Sequence, residues 1–167
     1  MTGHHIIRME ALRASFAALG FKNVKTYIQS GNVIFETDEP ADGLSVKIGK
    51  KILGDFGFEV RVLTKSAKEL AEIVKRNPFA KKGNDEARLY VTFLSDDPSR
   101  NALELVQPLA AGAEEIHVAG RAVYLRLPNG YGKTKLSNTA IEKKLSCGAT
   151  TRNWNTTKTL LGMAQGK

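Results

Sequence analysis

The stretch YIQSGNVIF, residues 27–35, sets two apolar runs around a polar Gly-Asn turn. Val24–Gln29 and Asn32–Phe35 are rich in β-branched and aromatic residues, which pack well on a pleated surface, and they flank Ser30-Gly31. The pattern predicts a β-hairpin. Gly31 permits a positive φ and Asn32 tolerates one, so the turn's own geometry accounts for both. Gln29 and Ser30 are less well explained, since a Lys or Thr would serve a plain hairpin equally. Gln29, Ser30 and Asn32 are therefore candidates for a hairpin tip that faces a cleft, together with a Gly-rich loop farther along the chain.

Working outward, Met9, Leu12, Phe16 and Leu19 recur at three and four residues, the spacing of one helical face, and Gly20 follows as a stop. Leu44, Ile48, Ile52 and Phe56 predict a second amphipathic helix ending at Gly57. A strand over 58–64 and a helix opened by the Ser66-x-x-Glu69 capping spacing and closed before Pro78 complete the first half. The polar, Gly-containing segment 79–87 reads as a linker between a first half, 1–78, and a second, 88–167. The second half repeats the theme: a strand over 89–94, a helix opened by Asp97-Pro98, strands over 115–118 and 122–127, then two helices, the last carrying Leu160, Leu161 and Ala164. The order β, α, β, β against α, β, β, α, β matches if the first half lacks an opening strand. The expected fold is α+β: two ferredoxin-like halves in tandem, each an antiparallel sheet with helices on one face. Such an incomplete first half predicts an apolar groove lined by Leu12, Phe16, Ile28 and Ile34, and self-association through it.

The 167 residues, 42% hydrophobic and 25% charged, suit one or two globular units. No apolar run approaches the roughly 20 residues that span a bilayer, and the amino terminus lacks the pattern of a secretory signal. These features predict a cytoplasmic protein with no membrane partner. The single Cys147 has no cysteine with which to form an internal disulfide, and His4, His5 and His117 offer no ligand spacing, so neither metal nor other cofactor is expected. The net charge is +8. From Pro128 onward Lys133, Lys135, Lys143, Lys144, Arg152, Lys158 and Lys167 stand against Glu142 alone, so most of the excess lies at the carboxyl-terminal end. Such a balance draws phosphates at long range.

Two polar stretches stand out there. Gly130-Tyr131-Gly132-Lys133-Thr134-Lys135 follows a strand and precedes a helix, as a phosphate-binding loop does. The full pattern G-x-x-x-x-G-K-[ST] fails, because Leu127 occupies the place of its first glycine. Anion capture by backbone amides and a helix start, beside Lys133 and Lys135, remains open against a plain Gly-rich turn. In Thr150-Thr151-Arg152-Asn153-Trp154-Asn155, Trp154 beside Arg152 and Asn153 has the composition of a base-stacking site. Packing is the favoured alternative: Asn153 or Asn155 caps the last helix, Trp154 plugs the space beneath it, and Arg152 pairs with a carboxylate.

The hairpin YIQSGNVIF, the segment LPNGYGKTKLSNTAIEKKL and the tail TTRNWNTTKTLL together resemble the family labelled domain of unknown function 1697. The resemblance implies a small α/β protein of two similar halves, with no established activity, cofactor or catalytic residue to transfer. It also implies an apolar strand before the first helix, whereas this chain opens at Thr2-Gly3-His4-His5. Internal repetition and resemblance thus lead to one expectation, a misplaced start or a truncation. No catalytic constellation is recognisable, which leaves enzyme status open. The expected function is binding of an anionic small molecule or RNA through the basic carboxyl-terminal region. The alternatives are an enzyme on a phosphorylated or nucleotide-like small molecule and a protein-interaction scaffold.

Overall fold

A computed structural model describes residues 7–27 and 31–166, the side chain of Lys82 apart. The chain divides into two compact units, one of residues 1–66 with 160–167 and the other of residues 67–159. The elements are α1 (Met9–Ala18), β1 (Lys22–Tyr27), β2 (Asn32–Glu36), α2 (Leu44–Phe56), α3 (Ala67–Lys75), β3 (Leu89–Leu94), α4 (Ala102–Val106), β4 (Glu115–Ala119), β5 (Ala122–Arg126), α5 (Asn138–Leu145), β6 (Ala149–Asn153) and α6 (Trp154–Ala164). The protein is a mixed α/β chain with antiparallel sheets, as the hydrophobic patterning predicts.

In the first unit β1 and β2 form the expected antiparallel hairpin, with Tyr27 opposite Asn32 and Lys25 opposite Ile34. Gly31 takes φ +82°, a value that Cβ-bearing residues rarely adopt. Asn23, also at positive φ, lies where the register shifts between Lys22 and Lys25. Leu12 and Phe16 of α1 are buried with Ile7, Phe21 and the α2 residues Leu44, Ile48 and Ile52. Phe21 stacks on Phe35 at 4.4 Å, and Phe16 meets Phe35 edge-on at 5.4 Å. These contacts correct one expectation. Leu12 and Phe16 line no open groove, because rings from the hairpin and apolar side chains of α2 cover them; Ile34 is half-buried, and Ile28 lies outside the described residues.

Residues 58–64 form no strand. None of the described strands pairs with this segment. Its apolar residues Phe58, Val60 and Val62 pack on the first unit's core instead.

The second unit holds a four-stranded antiparallel sheet in the order β4-β5-β3-β6. The central strands β3, LYVTFL, and β5, AVYLR, are almost wholly buried, while β4, EIHVA, shows the alternation of an edge strand. Val123, Leu125 and Leu94 share a core with Val106 of α4 and Ile141 of α5. Tyr124, between Val123 and Leu125, points to the opposite face. Its hydroxyl donates to the Ile73 carbonyl of α3 at 2.6 Å, so this face is covered as well and the helices do not all lie on one side. Burial raises the Tyr124 phenol to about 12. α3 falls in the same unit as this sheet. Residues 79–87 carry two 3-10 turns and the buried Phe79.

Two further differences concern this unit. The helix after β3 begins at Ala102, not at Pro98, and the Asp97 carboxylate accepts from Arg121 Nε at 3.1 Å. The tail contains a strand as well as two helices: β6 runs antiparallel to β3, with Thr151 opposite Thr92 and their hydroxyls 2.7 Å apart. β6 completes a β-α-β-β-α-β unit, with its first strand, β3, between β5 and β6. Among the described residues of the first unit no strand takes the corresponding central place.

Candidate functional site

Because the strands are antiparallel, the start of β3 meets the ends of β5 and β6 at one edge of the sheet: Leu89 pairs with Arg126, and Tyr90 with both Leu125 and Asn153. The Gly130–Lys135 loop leaves from this edge. Its first link is the Leu127 amide, which donates to the Arg88 carbonyl at 2.8 Å. Gly130 then turns at φ +84°, and a β-carbon there would stand 3.7 Å from an Arg88 guanidinium nitrogen. A cation therefore lies directly against the glycine turn.

Three backbone donors here serve the loop's own folding. Gly130 N–H donates to the Leu127 carbonyl, Thr134 N–H to the Tyr131 carbonyl, and Leu136 N–H to Thr134 Oγ1. At the start of α5 the Tyr131 hydroxyl accepts from the Asn138 amide at 2.9 Å and donates to Asn138 Oδ1, and Ser137 Oγ accepts from the Ala140 amide. A helix start binds anions through N–H groups that lack partners. Here two of those groups are already capped, so capture by the helix start is disfavoured. The Tyr131 ring lies 5.6 Å from the Tyr90 ring and fixes the loop on the sheet edge. Gly132, Lys133 and Lys135 are exposed and Thr134 is half-buried. Among the described residues neither lysine forms an ion pair.

The second polar stretch behaves differently. Asn153 Oδ1 accepts from the Thr156 amide at 2.7 Å and caps α6, and the Thr157 hydroxyl donates to the Asn153 carbonyl. Trp154 is 2% exposed. Its indole Nε1 donates to Glu86 at 3.1 Å, and Lys158 Nζ holds the other oxygen of that carboxylate at 2.8 Å. Glu86 is lowered below the usual carboxylate range by the Lys158 hydrogen bond first, with Trp154 adding to it against the effect of burial. Arg152 is half-buried opposite Val91, on the Tyr124 face, and donates to Thr150 Oγ1 and the Thr151 carbonyl. Burial lowers its guanidinium pKa. This is the arrangement of a packed strand-to-helix junction, not of a stacking platform.

Of the candidate residues, the sheet brings Gly130, Gly132, Lys133, Thr134 and Lys135 to the edge at which Asn153 ends β6, whereas Arg152 turns to the other face. Gln29 and Ser30 lie outside the described residues. Asn32 is buried, with its Nδ2 donating to the Tyr27 carbonyl, so it closes the hairpin it belongs to. Its φ is not positive: among the described non-glycine residues only Asn23 and Ser146 take that conformation. Sequence reasoning passed over Glu86, near the end of the segment read as a linker, and Arg88, the first residue of the half that follows it. Arg88 immediately precedes β3, whose antiparallel neighbour β5 runs on toward the glycine loop, a pairing that local sequence does not reveal. Among the described residues no three His, Cys, Asp or Glu side chains are grouped as a metal would require, and no helix is long and apolar enough to cross a membrane.

The family described as "Protein of unknown function (DUF1697)" matches residues 1–124. The match includes the hairpin and most of the four-stranded sheet, and ends before the glycine loop and the β6–α6 junction. No curated protein matches the chain. Among solved structures, the conserved bacterial protein SP0830 from Streptococcus pneumoniae has a similar fold, with a TM-score of 0.75 at 20% identity over 95% of this chain and 89% of that one.

Proposed function

This chain belongs to the DUF1697 family of unknown function, and we propose that it binds a polyanion, with single-stranded RNA as the test ligand, at the basic edge of its four-stranded sheet. The observation that carries this reading is a division of labour within one loop. The Gly130 and Thr134 amides and Tyr131 hold the fold, while Lys133 and Lys135 project into solvent and Arg88 lies against Gly130. Recognition therefore rests on side-chain charge rather than on an amide cradle, which favours an extended ligand with several phosphates over one small anion.

Fluorescence anisotropy with a labelled single-stranded RNA tests this. Lys133→Ala with Lys135→Ala should weaken binding and reduce the slope of log affinity against log salt by about 1.4, two single-strand phosphate contacts at roughly 0.7 each. An unchanged slope removes the loop from the binding surface.

A further inference from the structure

We propose that Asn129 is a site of spontaneous chemical modification: its side-chain amide is lost through attack by the Gly130 backbone nitrogen, which converts the loop's neutral residue into a carboxylate. Asn129-Gly130 is the single Asn-Gly pair in the chain, and Asn129 is exposed. The Gly130 nitrogen forms a bond to Asn129 Cγ, the bond from Cγ to the side-chain nitrogen breaks, and that nitrogen departs as ammonia, taking up the proton lost by the amide. The result is a five-membered cyclic imide. Water then opens either of its carbonyls, giving aspartate or its isomer with the chain continued through the side-chain carbon.

Three features of the loop bear on this reaction. Gly130 has no β-carbon to obstruct the approach of its nitrogen to the neighbouring side chain. The Arg88 guanidinium, 3.7 Å from where that β-carbon would be, stabilises the negative charge that the nitrogen carries when it attacks. Against these, the Gly130 N–H donates to the Leu127 carbonyl at 2.9 Å, so the turn must first open locally. The bond closes a short turn whose tip, Asn129, is exposed, the kind of structure that opens without global unfolding. The product places a carboxylate in the loop of Lys133 and Lys135. A consequence for ligand binding, which rests on the polyanion reading above, is weakened RNA affinity.

The full-length protein is incubated in mildly alkaline buffer, and the tryptic peptide of residues 127–133 is followed by mass spectrometry. Aspartyl and isoaspartyl forms should accumulate in that peptide ahead of those containing Asn138 and Asn155, and should be missing from Asn129→Gln. Arg88→Gln, a change at an exposed side chain, should slow the conversion while circular dichroism confirms an unchanged fold. Intact Asn129 when Asn155 has converted, or an unchanged rate in Arg88→Gln, overturns the proposal. Asn129→Asp should lower RNA affinity. Conversion at Asn129 with no difference in affinity for Asn129→Asp would instead overturn the polyanion reading, so the two failures are distinguishable.

Discussion

The loop at 130–135 and the junction at 150–155 are both polar, both end beside Tyr90, and carry similar residue types, yet their side chains do different things. At the junction each conspicuous group has a structural partner: Asn153 caps α6, Trp154 is buried with its indole on Glu86, and Arg152 bonds to Thr150 and to the backbone of Thr151. In the loop the Gly130 and Thr134 amides bond within the turn and Tyr131 caps α5, while the lysines are left to solvent. The density of polar residues in a sequence is thus a poor guide to a site. What separates the two is whether folding has already engaged the groups that a ligand would need.

Substitutions should bring out that contrast in order of size. Trp154→Ala removes a buried indole and leaves a cavity, and should cost about 3–5 kcal/mol in denaturant unfolding. A near-wild-type midpoint with lost ligand binding would reverse the assignment of the junction. Tyr124→Phe strips the Ile73 carbonyl of its donor at the carboxyl-terminal end of α3 and should cost about 1–3 kcal/mol. The same residue sets a pH dependence. Its folded pKa is raised from 10.0 to about 12, so the neutral phenol's contribution is fully present below pH 10 and is lost as pH rises through 12. Thermal melts across that window should show the loss in wild type, and less of it in Tyr124→Phe. Asn153→Ala, which deletes the α6 cap, should cost about 0.5–2 kcal/mol. Smallest of all, Lys133→Ala with Lys135→Ala should leave the melting temperature within error of wild type, since neither side chain packs.

Much of this architecture was legible because it is written in local periodicity. The α1 and α2 stripes and the Gly31 turn follow from the spacing of apolar residues and from one conformational requirement. The failures have physical causes. Residues 58–64 have the composition of a strand, and Phe58, Val60 and Val62 use it to pack on the first unit's core. β6, ATTRN, is an edge strand with only Ala149 fully buried, so its threonines looked like the approach to a helix. Asp97-Pro98 has the composition of a helix start, but α4 begins only at Ala102, and Asp97 pairs with Arg121 instead. At the candidate site the loop's lysines were visible from sequence. Arg88 was not, because its place against Gly130 is set by the pairing of β3 with β5. The capping of α5 by Tyr131 was equally hidden, as it comes from seven residues upstream.

The carboxyl-terminal charge excess alone would attract RNA, so the account needs the loop to act as a place and not merely as a share of the total. Lys143 and Lys144 supply the control: they are exposed in the last turn of α5, about 7–9 Å along the helix from its start. The direct test compares salt-dependent RNA binding of wild type, Lys133→Ala with Lys135→Ala, and Lys143→Ala with Lys144→Ala, three proteins of which the last two have equal net charge. The account predicts a reduced slope and lower affinity in the loop variant, with the helix variant close to wild type. Equal losses in the two variants would show that net charge, and not the basic edge of the sheet, holds the ligand.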